Sequence, residues 1–367
     1  MGIQIRDYQT NDEEKIVPLL ELIFPKWPPF SLPCPAIEHW KWKYLDNPNE
    51  SSFITVVEED GEIVGVNHAL YTHVKIGENR YLTRLGYDMG VHPDYRGKKI
   101  WTRMRDYRLF NPKNSIHDIK FNLTGNPVVK EADLKEGSTL FPKEIQHFMR
   151  IQHVPKNLNQ NEPNLLKRTL LKNGYRYLKI RNTLLNIIYN VPSHNDYLEI
   201  SEISSFDDTA RFFWDNVKND YDFIIERNPE YLNWRYCDKR GGGYRVLKAV
   251  ESGHMVGYIA FRVNSRSPEN PVGVIVDLLV YENRTDITLA LLKKCLEYFS
   301  TFNVFRVSTY LIKDHPSSKV FARFGFIRQP FNQWVFLGPE DIGKDREIFL
   351  KAPSKRLHFQ LGDTDII

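Results

Sequence analysis

The sequence predicts two tandem copies of one mixed α/β domain, α+β in the character of its sheet, joined by a basic helical connector. Three observations carry this. The chain has 367 residues, 41% of them apolar and 13% aromatic, which is long for one domain and ample for two cores. A pattern recurs: Trp42 lies 23 residues before Gly65, and Trp234 lies 23 residues before Gly257. Each copy starts at Trp-Lys/Arg-Tyr and continues as a strand, a hairpin turn at Gly61 or Gly253, and a second strand. Finally, an apolar segment ending at Val91 runs through a Pro-Asp turn and a basic, Gly-containing loop into a helix, as a strand does when it hands over to a helix in an α/β layer.

The elements follow in order. Ile5-Arg6-Asp7-Tyr8 reads as a strand before a helix opened by acids, and Ile200 to Ile203 before Asp207-Asp208 repeats it. The aromatic segments around Trp27, Trp40, Trp42 and Tyr44, and around Phe212 to Trp214 and Tyr231 to Tyr236, have helix spacing and read as core. After the hairpin, Asp88-Met89-Gly90-Val91 matches Asp277-Leu278-Leu279-Val280. A helix follows over 102–109, then a strand over 120–124 and the turn Gly125-Asn126-Pro127. This order suits one domain over 1–153, a connector over 154–195, a second domain over 196–340 and a tail over 341–367. Residues 164–195 hold six Lys or Arg and no Asp or Glu among regularly spaced leucines and isoleucines. This stretch reads as largely helical, broken near Asn173-Gly174, with its apolar side packed on both domains. The competing reading is a basic amphipathic surface for a membrane face or an acidic polymer.

The helix start beyond Val91 has the marks of an anion site, with a solvated basic turn as the competing reading of the same charges. Backbone N–H groups in a first helical turn have no intrahelical partner, and Arg96, Lys98, Lys99, Arg103 and Arg105 crowd the place where cations oppose the helix dipole. In the second copy, Tyr281-Glu282-Asn283-Arg284-Thr285-Asp286 has no glycine and two acids there, so that copy is expected to lack the ligand.

Val91-His92-Pro93-Asp94-Tyr95-Arg96-Gly97-Lys98 and Ile100 resemble the acetyl-CoA-binding strand, loop and helix of the GNAT acyltransferase superfamily, whose usual form continues Tyr-Arg-Gly-Lys-Gly-Ile-Gly. Lys99 and Trp101 stand where the family has glycines that let the backbone approach the pyrophosphate. The closing His315 to Phe326 segment is similar to a GNAT final helix and strand. The resemblance spans roughly 1–153 and 196–340. It implies transfer of an acetyl or other acyl group from an acyl-CoA co-substrate to a primary amine of a small molecule, an amino sugar among the candidates. It implies that Met89, Gly90 and Val91 hold the pantetheine arm and polarise the carbonyl. Arg96, Gly97, Lys98, Lys99, Ile100, Trp101 and Thr102 would surround the pyrophosphate, and Asn126 would bond the arm or else cap its helix. Asp88 is the candidate proton acceptor, although its twin Asp277 in the other copy suits a structural role. The tyrosine that many relatives use to protonate the thiolate is missing, since 127–174 contains none. A lapsed pair of domains serving as a binding or scaffold module is the alternative, and amino-acyl transfer from a charged tRNA a third.

Other classes find little support. A net charge of +4 does not ask for nucleic acid, and no apolar run reaches the roughly 20 residues of a membrane span. Three scattered cysteines, Cys34, Cys237 and Cys295, argue against a disulfide framework and for the cytoplasm. No His or Cys spacing suggests a metal, no Gly-x-Ser-x-Gly elbow is present, and Gly241 to Gly243 precede a strand as a turn.

Overall fold

The computed structural model describes residues 2–50, 52–111, 116–156, 158, 164–188, 198–331 and 333–364. The chain folds into two compact units: Met1–Pro142, Asp238–Gly242 and Gln333–Lys351 make the first, and Lys143–Cys237, Gly243–Asn332 and Ala352–Ile367 the second.

In the first unit, β1 (Gln4–Asp7), β2 (Phe53–Glu59), β3 (Glu62–Ile76) and β4 (Asn79–Val91) form an antiparallel run, with α1 (Glu13–Ile23) and α2 (Ala36–Tyr44) inserted after β1. Asp60 and Gly61 both have positive φ, 51° and 83°, as a tight hairpin between right-twisted strands requires. β5 (Ile119–Thr124) lies parallel to β4, paired from Thr83 with Ile119 to Leu85 with Phe121. Past that point the ladder with β5 stops, and β4 runs on to Val91. α3 (Ile100–Phe110) connects β4 to β5, and α4 (Pro127–Lys135) follows β5. β15 (Trp334–Leu337) then pairs with both β5 and β6 (Thr139–Leu140), and α9 (Lys344–Lys351) completes the unit.

The second unit repeats the plan. Its sheet has the order β14-β7-β13-β12-β11-β10-β8, using β7 (Ile145–Ile151), β8 (Leu198–Ile203), β10 (Arg245–Glu251), β11 (His254–Asn264), β12 (Val272–Val280), β13 (Arg306–Ile312) and β14 (Ile327–Gln329). Here too the parallel pair parts early: β12 and β13 are joined only from Val272 with Arg306 to Val274 with Ser308. α6 (Asp208–Val217), α7 (Thr285–Thr301) and α8 (Pro316–Arg323) cover the sheet, and α7 buries Leu291, Leu292, Cys295 and Phe299 in the core. Cys34 and Cys237 are also free thiols.

Two sequence expectations differ from what is seen. The boundaries at 153 and 340 cut across the sheets: β7, from the first half of the chain, inserts between β13 and β14, while β15, from the second half, inserts between β5 and β6. The borrowed strand covers the edge of β5 or β13 that faces away from its parallel neighbour, satisfying the backbone groups there. The connector also departs from its reading. Within the second unit, α5 (Leu165–Ile188) passes unbroken through Gly174, where a lone glycine costs only about 1 kcal/mol against good helix formers on both sides. Most of its apolar residues are exposed rather than packed on either domain.

The chain end is ordered too. Leu357 bridges in parallel to Phe223 of β9 (Phe223–Ile225), and His358 N donates to Phe223 O at 2.8 Å. Gln360 Nε2 donates to Leu278 O, 3.2 Å away, in the stretch of β12 that β13 has left. Arg227, 1% exposed, bridges Asp277 and Asp363. Residues 352–364 thus line the parted strands of the second unit, leaving a cavity of about 90 Å³ beside Leu278, Tyr281 and His315. Truncating the chain after Lys351 should lower the urea midpoint markedly, by at least the ~3 kcal/mol that breaking a buried ion pair costs. Loss of the buried Leu357, Phe359 and Leu361 adds to this. Unfolding followed by tryptophan fluorescence reads the change, and an unchanged midpoint would contradict this role of the tail.

Candidate functional site

The parting of β4 and β5 starts from a bulge. Val66 pairs with Gly90 and His68 with Tyr87, so Asn67 faces two residues, Asp88 and Met89. Asp88 adopts φ 42°, a left-handed conformation that Asp tolerates better than most side chains. Its carboxylate is buried and takes three donors: Trp27 Nε1 at 3.0 Å, Lys43 Nζ at 2.9 Å and Tyr44 OH at 2.5 Å. Burial alone would raise its pKa, but the Lys43 ammonium and the further donors outweigh it and hold the carboxyl down at about 2. His68 stacks on Tyr44 with ring centroids 4.0 Å apart. Trp40 Nε1 donates to its Nε2 at 3.0 Å, so the proton sits on Nδ1, 3.1 Å from Asp88 O. Burial lowers His68 to about 4, so the ring is neutral at pH 7.

The twin site has the same logic. Asp277 Oδ2 accepts from Tyr236 OH at 3.0 Å, Tyr258 OH at 2.7 Å and Arg227 Nε at 2.8 Å, at a bulge where Val276 is the unpaired residue. The repeated tyrosines Tyr44 and Tyr236 therefore bond the repeated aspartates. Trp27, Lys43 and His68 are site residues the sequence reading did not assign. The Trp-Lys/Arg-Tyr repeat was the available signal for Lys43; Trp27 and His68 lie outside it.

Met89 and Val91 pack with Val57, Val64, Ile100 and Met104, which seats the α3 start against the end of β4. Gly90 is required by α1: a Cβ there would come within 2.8 Å of Ile23 Cδ1. His92 Nδ1 accepts from Asp94 N and so caps the turn Pro93–Tyr95. The loop then needs two left-handed residues, Gly97 at φ 80° and Lys99 at φ 57°. The second explains the family's glycine at this position, which Lys99 fills against an unfavourable conformation of about 1 kcal/mol. The first bond of α3 runs from Arg103 N to Lys99 O, so the amides of Ile100, Trp101 and Thr102 belong to the open first turn.

The five cations separate by role. Arg103 Nη2 donates to Ile3 O, Arg105 pairs with Asp106, and the Lys98 ammonium lies 4.3 Å from the Tyr95 ring centroid. Arg96 and Lys99 are exposed at the loop. The Trp101 indole, 39% exposed, lies beneath the Arg105 guanidinium, 5.4 Å from its centroid. That places the ring along the helix, on the side of the following turn. Asn126 caps α4 through Val128 N at 2.9 Å, and His315 caps α8 in the same way through Ser317 N. The acids of the second loop are neutralised locally: Arg284 pairs with Glu251 and Asp286, and Lys355 with Glu282. Among the described residues no cluster of His, Cys, Asp or Glu has metal-site geometry.

Comparison with known proteins agrees with this geometry. Residues 4–119 match the family described as an acetyltransferase (GNAT) domain. A search of curated proteins found no match. A conserved protein of Enterococcus faecalis V583, described as a probable N-acyltransferase, superposes with a TM-score of 0.57 at 11% identity, over 91% of this chain and 72% of that one. N-myristoyltransferase of Saccharomyces cerevisiae, with bound myristoyl-CoA, gives 0.58 at 10% identity over 92% and 82%. A tandem GNAT protein from the clavulanic acid biosynthesis pathway gives 0.55 at 17% identity over 93% and 100%.

The buried pair at the bulge makes stability depend on pH. The unfolded His68 titrates near 6.5 and the folded one near 4, so its contribution is complete above 6.5 and is lost as pH falls from 6.5 to 4. Asp88 acts lower, with its contribution complete above 3.8 and lost as pH falls to about 2. Relative to wild type, His68→Gln should flatten the upper window by roughly 3 kcal/mol in urea unfolding across pH 4 to 7. A variant whose pH slope there matches wild type would refute the assignment.

Proposed function

We propose that this chain, a tandem GNAT protein by its matched N-terminal domain and by its fold, is an acyl-CoA N-acyltransferase whose coenzyme site lies in the first unit. The observation that carries this reading is the early end of the β4–β5 ladder at Leu85, after which β4 runs on into the loop of Arg96, Gly97 and Lys99 and the open first turn of α3. An extended pantetheine arm can take up backbone bonds along such an edge, as a strand would. The pyrophosphate can then lie on the helix start with Arg96 and Lys99 beside it. Lys99 adds charge where the family has glycine, and the Trp101 ring, drawn toward Arg105, leaves the amides accessible.

In this reading the thioester lies near the bulge, and a backbone N–H of the Met89–Val91 segment polarises its carbonyl as negative charge builds on oxygen. A neutral primary amine of a small molecule attacks the carbonyl carbon, the N–C bond forms as the C–S bond breaks, and the proton lost by the amine nitrogen passes through solvent to the departing thiolate. Asp88 was the candidate base. With three donors and a pKa of about 2 it has little drive to take a proton, and we assign it to holding the bulge and the strand edge in place. Asn126 orders the start of α4 beside this edge. The second unit does not offer the same groove, because Gln360 and His358 approach Leu278 O there and the loop lacks left-handed glycines. The acceptor in this reading is a primary amine of a small molecule. A scaffold role with no transfer is the alternative.

Thermal unfolding with acetyl-CoA separates the two. A ligand at 100 times its dissociation constant adds about 2.7 kcal/mol, so the melting temperature should rise by a few degrees. Arg96→Glu should abolish the rise while leaving the unliganded melting temperature within about 1 °C, because Arg96 is exposed. Thiol release from acetyl-CoA across a panel of polyamines, amino sugars and amino acids then identifies the acceptor. A melting temperature unmoved by saturating acetyl-CoA and by longer acyl-CoAs would favour the scaffold.

A further inference from the structure

Helix α5 has three distinct faces. Leu178, Asn182 and Leu185 recur at helical spacing and turn inward, and Asn182 Nδ2 donates to Ile151 O at 2.7 Å. On another face Leu166, Leu170, Tyr177, Ile180, Leu184 and Ile188 form one stripe, each between 53% and 73% exposed. Single exposed leucines are ordinary, but six in a row along one helix are a contiguous apolar patch that water should not face. Along the flank of that stripe run Arg168, Lys172, Arg176 and Lys179, and residues 164–195 contain no acid. The flank is therefore a cationic row without countercharge from its own helix.

We infer that α5 is a surface anchor that lies in the interface of an anionic phospholipid membrane, its leucine and isoleucine stripe at the acyl boundary and its cationic row on the headgroup phosphates. The charge pattern selects this occupant. A second copy docking symmetrically through the same stripe would set two cationic rows side by side. A nucleic acid would satisfy the cations but leave the aliphatic stripe in water. A lipid surface answers both faces, and Tyr177 suits its depth, with an apolar ring and a polar hydroxyl. The helix does not cross the bilayer, since among the described residues no helix is long and apolar enough to do so. This inference is independent of acyl transfer.

The test is sedimentation of the full-length protein with vesicles of phosphatidylcholine alone or with about 25% phosphatidylglycerol, at about 0.1 M salt. Binding is expected to the anionic vesicles, at least tenfold stronger than to neutral ones, and to fall in about 0.5 M salt. The paired change Ile180→Asp with Leu184→Asp, and separately Arg176→Glu with Lys179→Glu, should each weaken it, the latter by roughly fivefold or more per charge. Both pairs alter exposed positions, so far-ultraviolet circular dichroism and melting temperature should match wild type. The charge pair remains informative if the aspartate pair misfolds. Wild-type protein left in the supernatant with anionic vesicles would overturn the inference, as would folded variants that bind like wild type. A dimer in analytical ultracentrifugation that the aspartate pair dissolves, without vesicle binding, would overturn it in favour of a second copy.

Discussion

A buried carboxylate at the bulge of the fourth strand organises each unit of this protein. Removing a charge from water is expensive, so Asp88 and Asp277 persist only with several donors around them, three on each. The shared source of those donors is the aromatic helix end that precedes the hairpin, Tyr44 and Lys43 in one unit and Tyr236 in the other, joined by Trp27 in the first and by Arg227 and Tyr258 in the second. The carboxylate thus draws the helix end against the sheet and makes the bulge permanent. With the bulge in place, the fourth and fifth strands part after three paired residues in either unit. The open edge of β4, the strand each sheet borrows from the other half of the chain, and the groove beside it all follow.

Two units with one frame use that groove differently. In the first, the strand edge leads to a loop with left-handed Gly97 and Lys99 and exposed cations. In the second, the tail lies along the strand, Asp363 joins Arg227 and Asp277, and the loop's charges are paired with one another, with Glu251 and with Lys355 of the tail. Burial and Asp277 raise Asp363 to about 6 despite its contact with Arg227, because two carboxylates share one guanidinium away from water. In one copy the parted strands are lined by the tail, while in the other the strand end leads to an exposed basic loop.

Much of this was legible in the residues. The Trp-Lys/Arg-Tyr repeat and its equal spacing to a hairpin glycine disclosed two copies, because a helix end, a strand and a tight turn each impose their own residue types. The basic loop after Val91 disclosed the α3 start for the same local reason. Other features had no local signature. Asp88 reads alike as base or as strut until its three donors are located, and Asn126 reads alike as ligand contact or cap until Val128 N is seen bonded to it. Trp101 in a glycine's place was ambiguous because a side chain's direction depends on a neighbour, here Arg105.

Fold class, duplication and the position of the basic loop before α3 were determined by the sequence alone, since periodicity, turn chemistry and charge act over a few residues. The tertiary structure alone decided which strand completes which sheet. β7 and β15 are short apolar segments whose pattern suits any sheet interior, and partner choice is a long-range competition that no local rule encodes. It likewise decided that the tail closes the second groove and that α5 turns its leucines outward, because burial is a property of what lies opposite a residue and not of the residue itself.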